Sequence, residues 1–336
     1  MKAVVLRAGG RLVLEDWPRP AIAGGELLVR LRGCGLCGSD IAKVMSPSAA
    51  VPSVLGHELV ADVVEVGGGS MPYRVGDRVV VAHHVPCDEC HYCRRGSSSM
   101  CRTFKTSNLD PGGFAELVRV PAPNVRHATF RVPDGMSDEV ASFVEPLACC
   151  LRAVRRVRIE PGDTTVIIGA GSIGCLFVQL ARRAGGRVVA VDTVAARAGL
   201  AQRLGAERVG DAAAASPAIL ELSDRRGADH VIVTAGGAEV LPWAASAVRD
   251  GGSVHYFAGG GGATLPLPLE TLYHRELTIT ATYSSSPADL AEAFRLLCGG
   301  EVVVDQLVTH HVPLERLADG LELVRRREAL KVFVTT

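Results

Sequence analysis

Six residues, Gly169-Ala170-Gly171-Ser172-Ile173-Gly174, sit between a fully apolar run at residues 164–168 and a segment with helical apolar spacing. No other feature narrows the possible folds of this chain as far. A buried strand that passes through a G-x-G-x-x-G turn into an amphipathic helix opens a dinucleotide-binding βαβ unit. Gly169 permits the tight turn, Gly171 lets the backbone approach a pyrophosphate, and Gly174 lets the helix pack on the strand. The N–H groups at the start of the helix, around Ser172 and Ile173, are oriented to hold phosphate. Ile173, Leu176, Phe177, Leu180, Ala181 and Ala184 then fall on one helix face. Asp192 ends the next apolar run, 23 positions beyond Gly169, where its carboxylate would accept bonds from a ribose diol and repel a 2′-phosphate. The turn therefore favours NAD over NADP. Taken alone, the same residues would be only a glycine turn with an incidental aspartate.

The alternation continues. Residues 188–192, 230–234 and 252–257 read as buried strands, and 195–204 as a helix. Strands alternating with helices imply a parallel sheet covered on both faces. Arg197 is placed to stack on an adenine, or else is a solvated helix arginine. Thr234, after a strand, is positioned to line a nicotinamide pocket. Residues 259–262 form a four-glycine loop. Leu290, Ala293, Phe294 and Leu297 make a later helix face, and strands close the chain near residues 306–311 and 331–334.

The amino-terminal 145 residues have a different texture. Short strand-like runs at 4–6, 12–14, 26–31, 60–66 and 78–82 are punctuated by Gly and Pro, as in a small barrel or sandwich. A chain of 336 residues exceeds what one core usually supports, so two domains are expected. Thirty-six basic and 36 acidic side chains leave no net charge, which argues against nucleic acid or an anionic membrane surface as partner. No apolar stretch is long enough for a membrane span, and residues 1–30 carry no signal-peptide pattern. The chain reads as soluble and cytoplasmic.

In a reducing compartment, ten cysteines point to metal or catalysis rather than disulfides. Cys87, Cys90, Cys93 and Cys101 form C-x2-C-x2-C-x7-C. Four thiolates so spaced can surround one Zn²⁺ and leave no open position, the pattern of a structural site. The lobe at residues 85–102 has little apolar content, so metal binding supplies much of its folding energy. His83, His84 and His91 adjoin this lobe but are not needed as ligands. Cys34, Cys149, Cys150, Cys175 and Cys298 read as small core hydrophobes.

Three further segments follow one another in the chain: Gly35-Leu36-Cys37-Gly38-Ser39-Asp40, Gly56-His57-Glu58 and Glu145-Pro146-Leu147. Singly, each has a dull reading as a buried thiol, a core histidine or surface carboxylates. Together with the cysteine lobe and the glycine turn, in this order, they resemble the zinc-dependent medium-chain alcohol dehydrogenases over essentially the whole chain. Glu145-Pro146-Leu147 is similar to the sorbitol and polyol dehydrogenase branch, and threonine dehydrogenases share much of the pattern.

The resemblance implies an α/β protein with a GroES-like, β-rich catalytic domain at 1–148 and 285–336. A Rossmann NAD-binding domain would occupy 149–284. It implies a catalytic zinc beside the structural one, with Cys37 and His57 as ligands and Glu58 and Glu145 as direct or water-mediated ligands. Ser39 would relay the substrate proton. Where relatives often carry the next relay histidine this chain has Ala42, so Lys43, a neighbouring histidine or water would take that place.

The implied activity is NAD-linked oxidation of a secondary hydroxyl on a polyol, sugar or aminocyclitol by a homodimer or homotetramer. Its small-molecule substrate is hydroxylated. The alternatives are a threonine-type amino-alcohol dehydrogenase, a sugar 1-dehydrogenase, an aminoglycoside-pathway dehydrogenase acting on a ring hydroxyl, and a non-catalytic zinc- and NAD-binding regulator.

Overall fold

Residues 164–168 are all apolar or small, and such a run is stable only where both faces are covered. In the computed structural model, which describes residues 1–259 and 264–336, they form the fully buried strand Thr164–Ile168. This strand lies inside a six-stranded sheet. The order is Arg208–Gly210, Arg187–Val191, Thr164–Ile168, Ala228–Val233, Val248–Tyr256 and Thr278–Ala281. Every neighbouring pair is parallel. Numbered along the chain the order is 3-2-1-4-5-6, with its reversal beside the strand that feeds the glycine turn, the doubly wound arrangement.

Helix Ser172–Arg183 buries Leu176, Phe177, Leu180 and Ala181, the face read from their spacing. The sheet and its helices form one compact unit, Cys149–Ser284. Of the four-glycine loop, Gly260, Gly261 and Gly262 lie outside the described residues.

The second unit comprises Met1–Ala148 and Ser285–Thr336. Its hub is the strand Leu27–Gly35, which pairs antiparallel with Glu58–Val66, Leu117–Val120 and Val332–Thr335. Leu27, Val29, Leu59 and Ala61 are fully buried in the main core of this unit, and the intervening Leu28 and Val60, which point to the opposite face, are buried as well. A smaller sheet joins Arg11–Asp16, Lys2–Arg7 and Ser53–Val54.

Two expectations need correction. The strand expected at residues 306–311 is instead His310–Pro313. It runs parallel to the closing strand, His310 opposite Val332, and that register starts the pairing only at His310. Cys298 is exposed rather than packed in the core. It is the last residue of helix Pro287–Cys298, beyond the turns that bury Leu290, Ala293, Leu296 and Leu297.

His255 is fully buried on strand Val248–Tyr256. Its ring nitrogens meet Thr280 Oγ1 at 2.8 Å and Thr282 Oγ1 at 3.2 Å. Burial, with the Arg156 charge, pushes its pKa down to about 4. An unfolded histidine protonates near pH ~6.5. Between these values the unfolded chain binds the extra proton. The stability contributed by the neutral ring is therefore complete above the unfolded pKa and falls as the pH drops toward the folded one. His255→Gln should flatten this acid limb by up to about 3 kcal/mol, read from urea unfolding at both ends of the window. An unchanged limb would remove His255 as its source.

Candidate active site

Backbone register brings the polar residues of the second unit together. Gly35, at the end of the hub strand, pairs with Glu58 on one side and Phe333 on the other. Cys37 lies just past that strand end, and His57 and Lys331 lie just outside the two partner strands. Three distant stretches of sequence thus converge. Donor atoms of Cys37, His57 and Glu58 all lie within 4.8 Å of one another. Glu145, on helix Val144–Val157, is buried but is not part of this cluster.

Gly35 makes the convergence possible. A Cβ there would sit 1.9 Å from Glu58 Oε2 and 2.8 Å from Lys331 Cε.

Asp40, which sequence reasoning passed over, ties the metal-ligand segments together. It is 1% exposed. Its carboxylate accepts from the Cys37 amide at 3.1 Å and from the Gly56 amide at 3.3 Å, and lies 3.4 Å from His57 Nδ1. Burial alone would raise the Asp40 pKa, but the His57 ring and the two amides hold it below the usual carboxylate range. Such a carboxylate fixes the His57 ring and leaves Nε2 for a metal. Ser39 Oγ lies 3.5 Å from that Nε2. The available signal was an aspartate three residues after Cys37, at the start of helix Gly38–Met45.

Lys331 was also missed. It is buried and forms an ion pair with Glu58 Oε2. Burial works against its charge, but Glu58 and Cys37 outweigh it, so its pKa is raised. The signal was compositional: lysine occurs at only four positions of an arginine-rich chain, and this one lies in an apolar closing segment.

Both Glu58 oxygens are sealed from water without a hydrogen-bond partner, leaving Oε1 with none and Oε2 with only the lysine charge. A buried carboxylate left so costs several kcal/mol unless a cation completes it. One thiol, one imidazole and one carboxylate fit Zn²⁺ with a position left open.

Three tilted ring contacts continue from the site. The His83 ring lies 4.7 Å from that of His57 and 3.8 Å from that of His84, which in turn lies 4.9 Å from Phe104. His84 Nδ1 meets the Ser107 carbonyl, whereas His83 Nδ1 is buried without a partner. Burial, with the His57, His84 and Lys43 charges, holds His83 well below the ordinary histidine range.

Phe104 follows Cys101, and the sulfur atoms of Cys87, Cys90, Cys93 and Cys101 lie within 4.8 Å of one another. Cys90 and Cys93 are 3.5 Å apart, as are Cys87 and Cys101, well beyond a disulfide bond of about 2.0 Å. These four thiols could hold the structural zinc.

In the other unit the glycine turn has the expected form. Gly169 has φ +92°, and a Cβ would meet Ala235 Cβ at 2.5 Å. A Cβ at Gly174 would lie 1.8 Å from the Gly169 carbonyl oxygen, whereas nothing stands within 4 Å of one at Gly171. Gly171 therefore leaves open space where a phosphate would approach, and Ser172 and Ile173 begin the helix beside it. Asp192 accepts from the Ala170 and Val194 amides at 2.7 and 2.8 Å, and each oxygen keeps a lone pair for a ribose hydroxyl. Arg197 is half-buried on helix Ala195–Arg203. Thr234 Oγ1 donates inward to the Ile168 and Gly169 carbonyls, both at 2.9 Å, and so clamps the turn.

Residues 23–134 match the model of the alcohol dehydrogenase GroES-like domain, and residues 172–298 that of the zinc-binding dehydrogenases. The chain is 29% identical to L-galactonate-5-dehydrogenase of Escherichia coli strain K12, covering 100% of this chain and 99% of the relative. It is 28% identical to sorbitol dehydrogenase of Bacillus subtilis strain 168, covering 99% and 97%. Alcohol dehydrogenase TADH from Thermus sp. ATN1 superposes with a TM-score of 0.87 at 30% identity, covering 100% of this chain and 99% of that one. A zinc-binding dehydrogenase from Sinorhizobium meliloti 1021, bound to NADP, gives 0.87 at 29% identity with the same coverage.

Gly35→Ala should displace the Glu58 carboxylate and weaken metal binding at Cys37 and His57 by about 10–100-fold, while the cysteine lobe keeps its zinc. Zinc content after dialysis against a weak chelator reads the two sites separately. Equal loss from both would show that the substitution disturbs the whole unit.

Proposed function

Because this chain belongs to the zinc-dependent medium-chain alcohol dehydrogenase family, we propose that it oxidises a secondary hydroxyl of a polyol or sugar to a ketone with NAD. One observation carries the reading: the cluster of half-buried Cys37 with buried His57 and Glu58, whose carboxylate is met by the Lys331 charge at Oε2 and by no protein partner at Oε1. When bound, zinc there supplies Lewis-acid polarisation of the hydroxyl, and NAD supplies the hydride acceptor.

The chain's own residues do the rest. Cys37, His57 and Glu58 would hold the metal, and Glu145, buried in the same unit but outside their cluster, would join as a water-mediated ligand. Asp40 keeps the His57 ring aligned. Lys331 offsets the Glu58 charge, so that the cluster does not accumulate buried negative charge. Ser39 Oγ takes the proton from the substrate hydroxyl and passes it outward. Ala42 cannot continue that path, and Lys43 beside it in the helix is the nearest charged group in sequence. Gly169, Gly171, Ser172, Ile173 and Gly174 hold the pyrophosphate, and Asp192 holds the adenosine ribose and disfavours a 2′-phosphate. Arg197 flanks the adenine, and Thr234 keeps the turn in shape.

Met1–Ala148 with Ser285–Thr336 is on this reading the catalytic domain, and Cys149–Ser284 the NAD-binding domain. Among the described residues no helix is long and apolar enough to cross a membrane. A cytoplasmic homo-oligomer acting on a small hydroxylated molecule is the corresponding picture.

The test is NADH formation across polyols, sugars, threonine and aminocyclitols, with NADP in parallel and zinc measured on the same sample. Cys37→Ala and His57→Ala should each lower turnover by at least about a thousandfold, since a catalytic metal is worth several kcal/mol. NAD binding, measured by calorimetry, should persist. Turnover retained in both variants would sink the catalytic-metal assignment, and preference for NADP would sink the role of Asp192.

A further inference from the structure

We propose that Phe104 and His84 are positioning residues for the metal ligand His57, and that through them the cysteine lobe sets how tightly Cys37, His57 and Glu58 hold their metal. This rests on the zinc reading of both clusters given above and adds a coupling between them.

A ligating imidazole has to be fixed in two ways. Asp40 meets the edge of the His57 ring, 3.4 Å from Nδ1, which anchors that atom but leaves the ring free to tilt about it. Tilt is limited by what packs against the ring. Here that is His83, with centroids 4.7 Å apart and planes inclined by 41°. The row continues from His83 to His84 at 3.8 Å and from His84 to the fully buried Phe104 at 4.9 Å. In a close-packed interior a ring yields only by displacing its neighbour, so a shift at one end of such a row reaches the other.

Phe104 belongs to the lobe. Helix Arg102–Thr106 begins directly after Cys101, and the Lys105 amide donates to the Cys101 carbonyl at 3.1 Å. Phe104 therefore stands within one turn of a lobe thiol. Ser107 closes the base of the lobe. Its Oγ donates to the Phe104 carbonyl and accepts from the Val85 amide, both at 3.0 Å, and its carbonyl meets His84 Nδ1. On the far side the fully buried Asn124 donates from Nδ2 to the Ala82 and His83 carbonyls, each at 3.0 Å. With the backbone at 82–85 held from both sides, a shift of Phe104 is taken up by the rings. The lobe has little apolar content, so its shape depends on the four thiols being drawn to one ion. Cys101 is placed when they are, and Phe104 with it. By linkage, filling either cluster tightens the other by the same factor.

The test follows Co²⁺ binding to the whole protein. One thiolate and four thiolates give different cobalt absorption, so the two clusters are titrated separately against a competing chelator. Cys90→Ser combined with Cys93→Ser removes the lobe site and should weaken Co²⁺ at the Cys37 cluster about tenfold. Phe104→Leu and His84→Leu break the row while the lobe stays filled, and each should cause a loss of about the same size. His84→Phe loses the Ser107 contact as His84→Leu does but keeps a ring, and should stay within about twofold of wild type. Lobe removal on top of Phe104→Leu should add less than about twofold, because both act on one path.

Cluster affinity unchanged by lobe removal would overturn the inference. Full additivity of lobe removal and Phe104→Leu would do so too, and would make Phe104 a packing residue. Should the lobe-less protein not fold, equal losses in His84→Leu and His84→Phe overturn it, and a loss in His84→Leu alone supports it. Coupling that follows the rings, in a protein that oxidises no alcohol, would support the inference and remove the oxidoreductase reading. Alcohol oxidation without coupling would do the reverse, and a Cys37 cluster that takes no Co²⁺ would remove both.

Discussion

The backbone pairing at Gly35 is the constraint on which the candidate site depends. One residue without a side chain is hydrogen-bonded between two strands, and the register on either side sets which residues stand next to Cys37. A shift of one position on either neighbour would turn Glu58 or Phe333 to the opposite face. The missing Cβ is as important as the register, because the Glu58 carboxylate and the Lys331 side chain occupy the space it would fill. A metal centre of this kind is therefore built by sheet geometry first and by ligand chemistry second.

Around that junction, buried charges are balanced in two layers. Asp40 is countered by amides and the His57 ring, and Glu58 by Lys331. Neither carboxylate would be tolerated alone at nearly complete burial. The two pairs also differ in consequence. Asp40 is satisfied by the protein itself and can only orient, whereas Glu58 retains an oxygen with no protein partner and can still bind. The same distinction separates His84 Nδ1, which meets a carbonyl, from His83 Nδ1, which has no partner. Reading which buried polar atoms are complete and which are not thus sorts scaffold from candidate ligand sites.

Much of the architecture was legible from periodicity. The run at 164–168 and the helical spacing after it specified a buried strand and the face of its helix, because fully apolar runs and 3.6-residue repeats each admit few placements. The cysteine spacing was equally direct, since four thiols within fifteen positions can meet without help from distant chain. What failed was local: the strand before His310 and the burial of Cys298. Both depended on where a neighbouring strand or helix stopped, and short apolar runs do not encode that.

Sequence alone determined the glycine turn with Asp192 and the cysteine lobe, because these are patterns of residue type at short range, whereas the grouping of Cys37, His57 and Glu58 was implied only by resemblance to a family. Only tertiary structure decided that Lys331 neutralises Glu58 from 273 positions away, that Asp40 bridges Cys37 and Gly56, and that Glu145 is not in the cluster of Cys37, His57 and Glu58. It also decided that His83 has an uncommitted nitrogen. Those facts are set by strand register and by burial, which arise between segments remote in the chain and leave no short-range pattern to read.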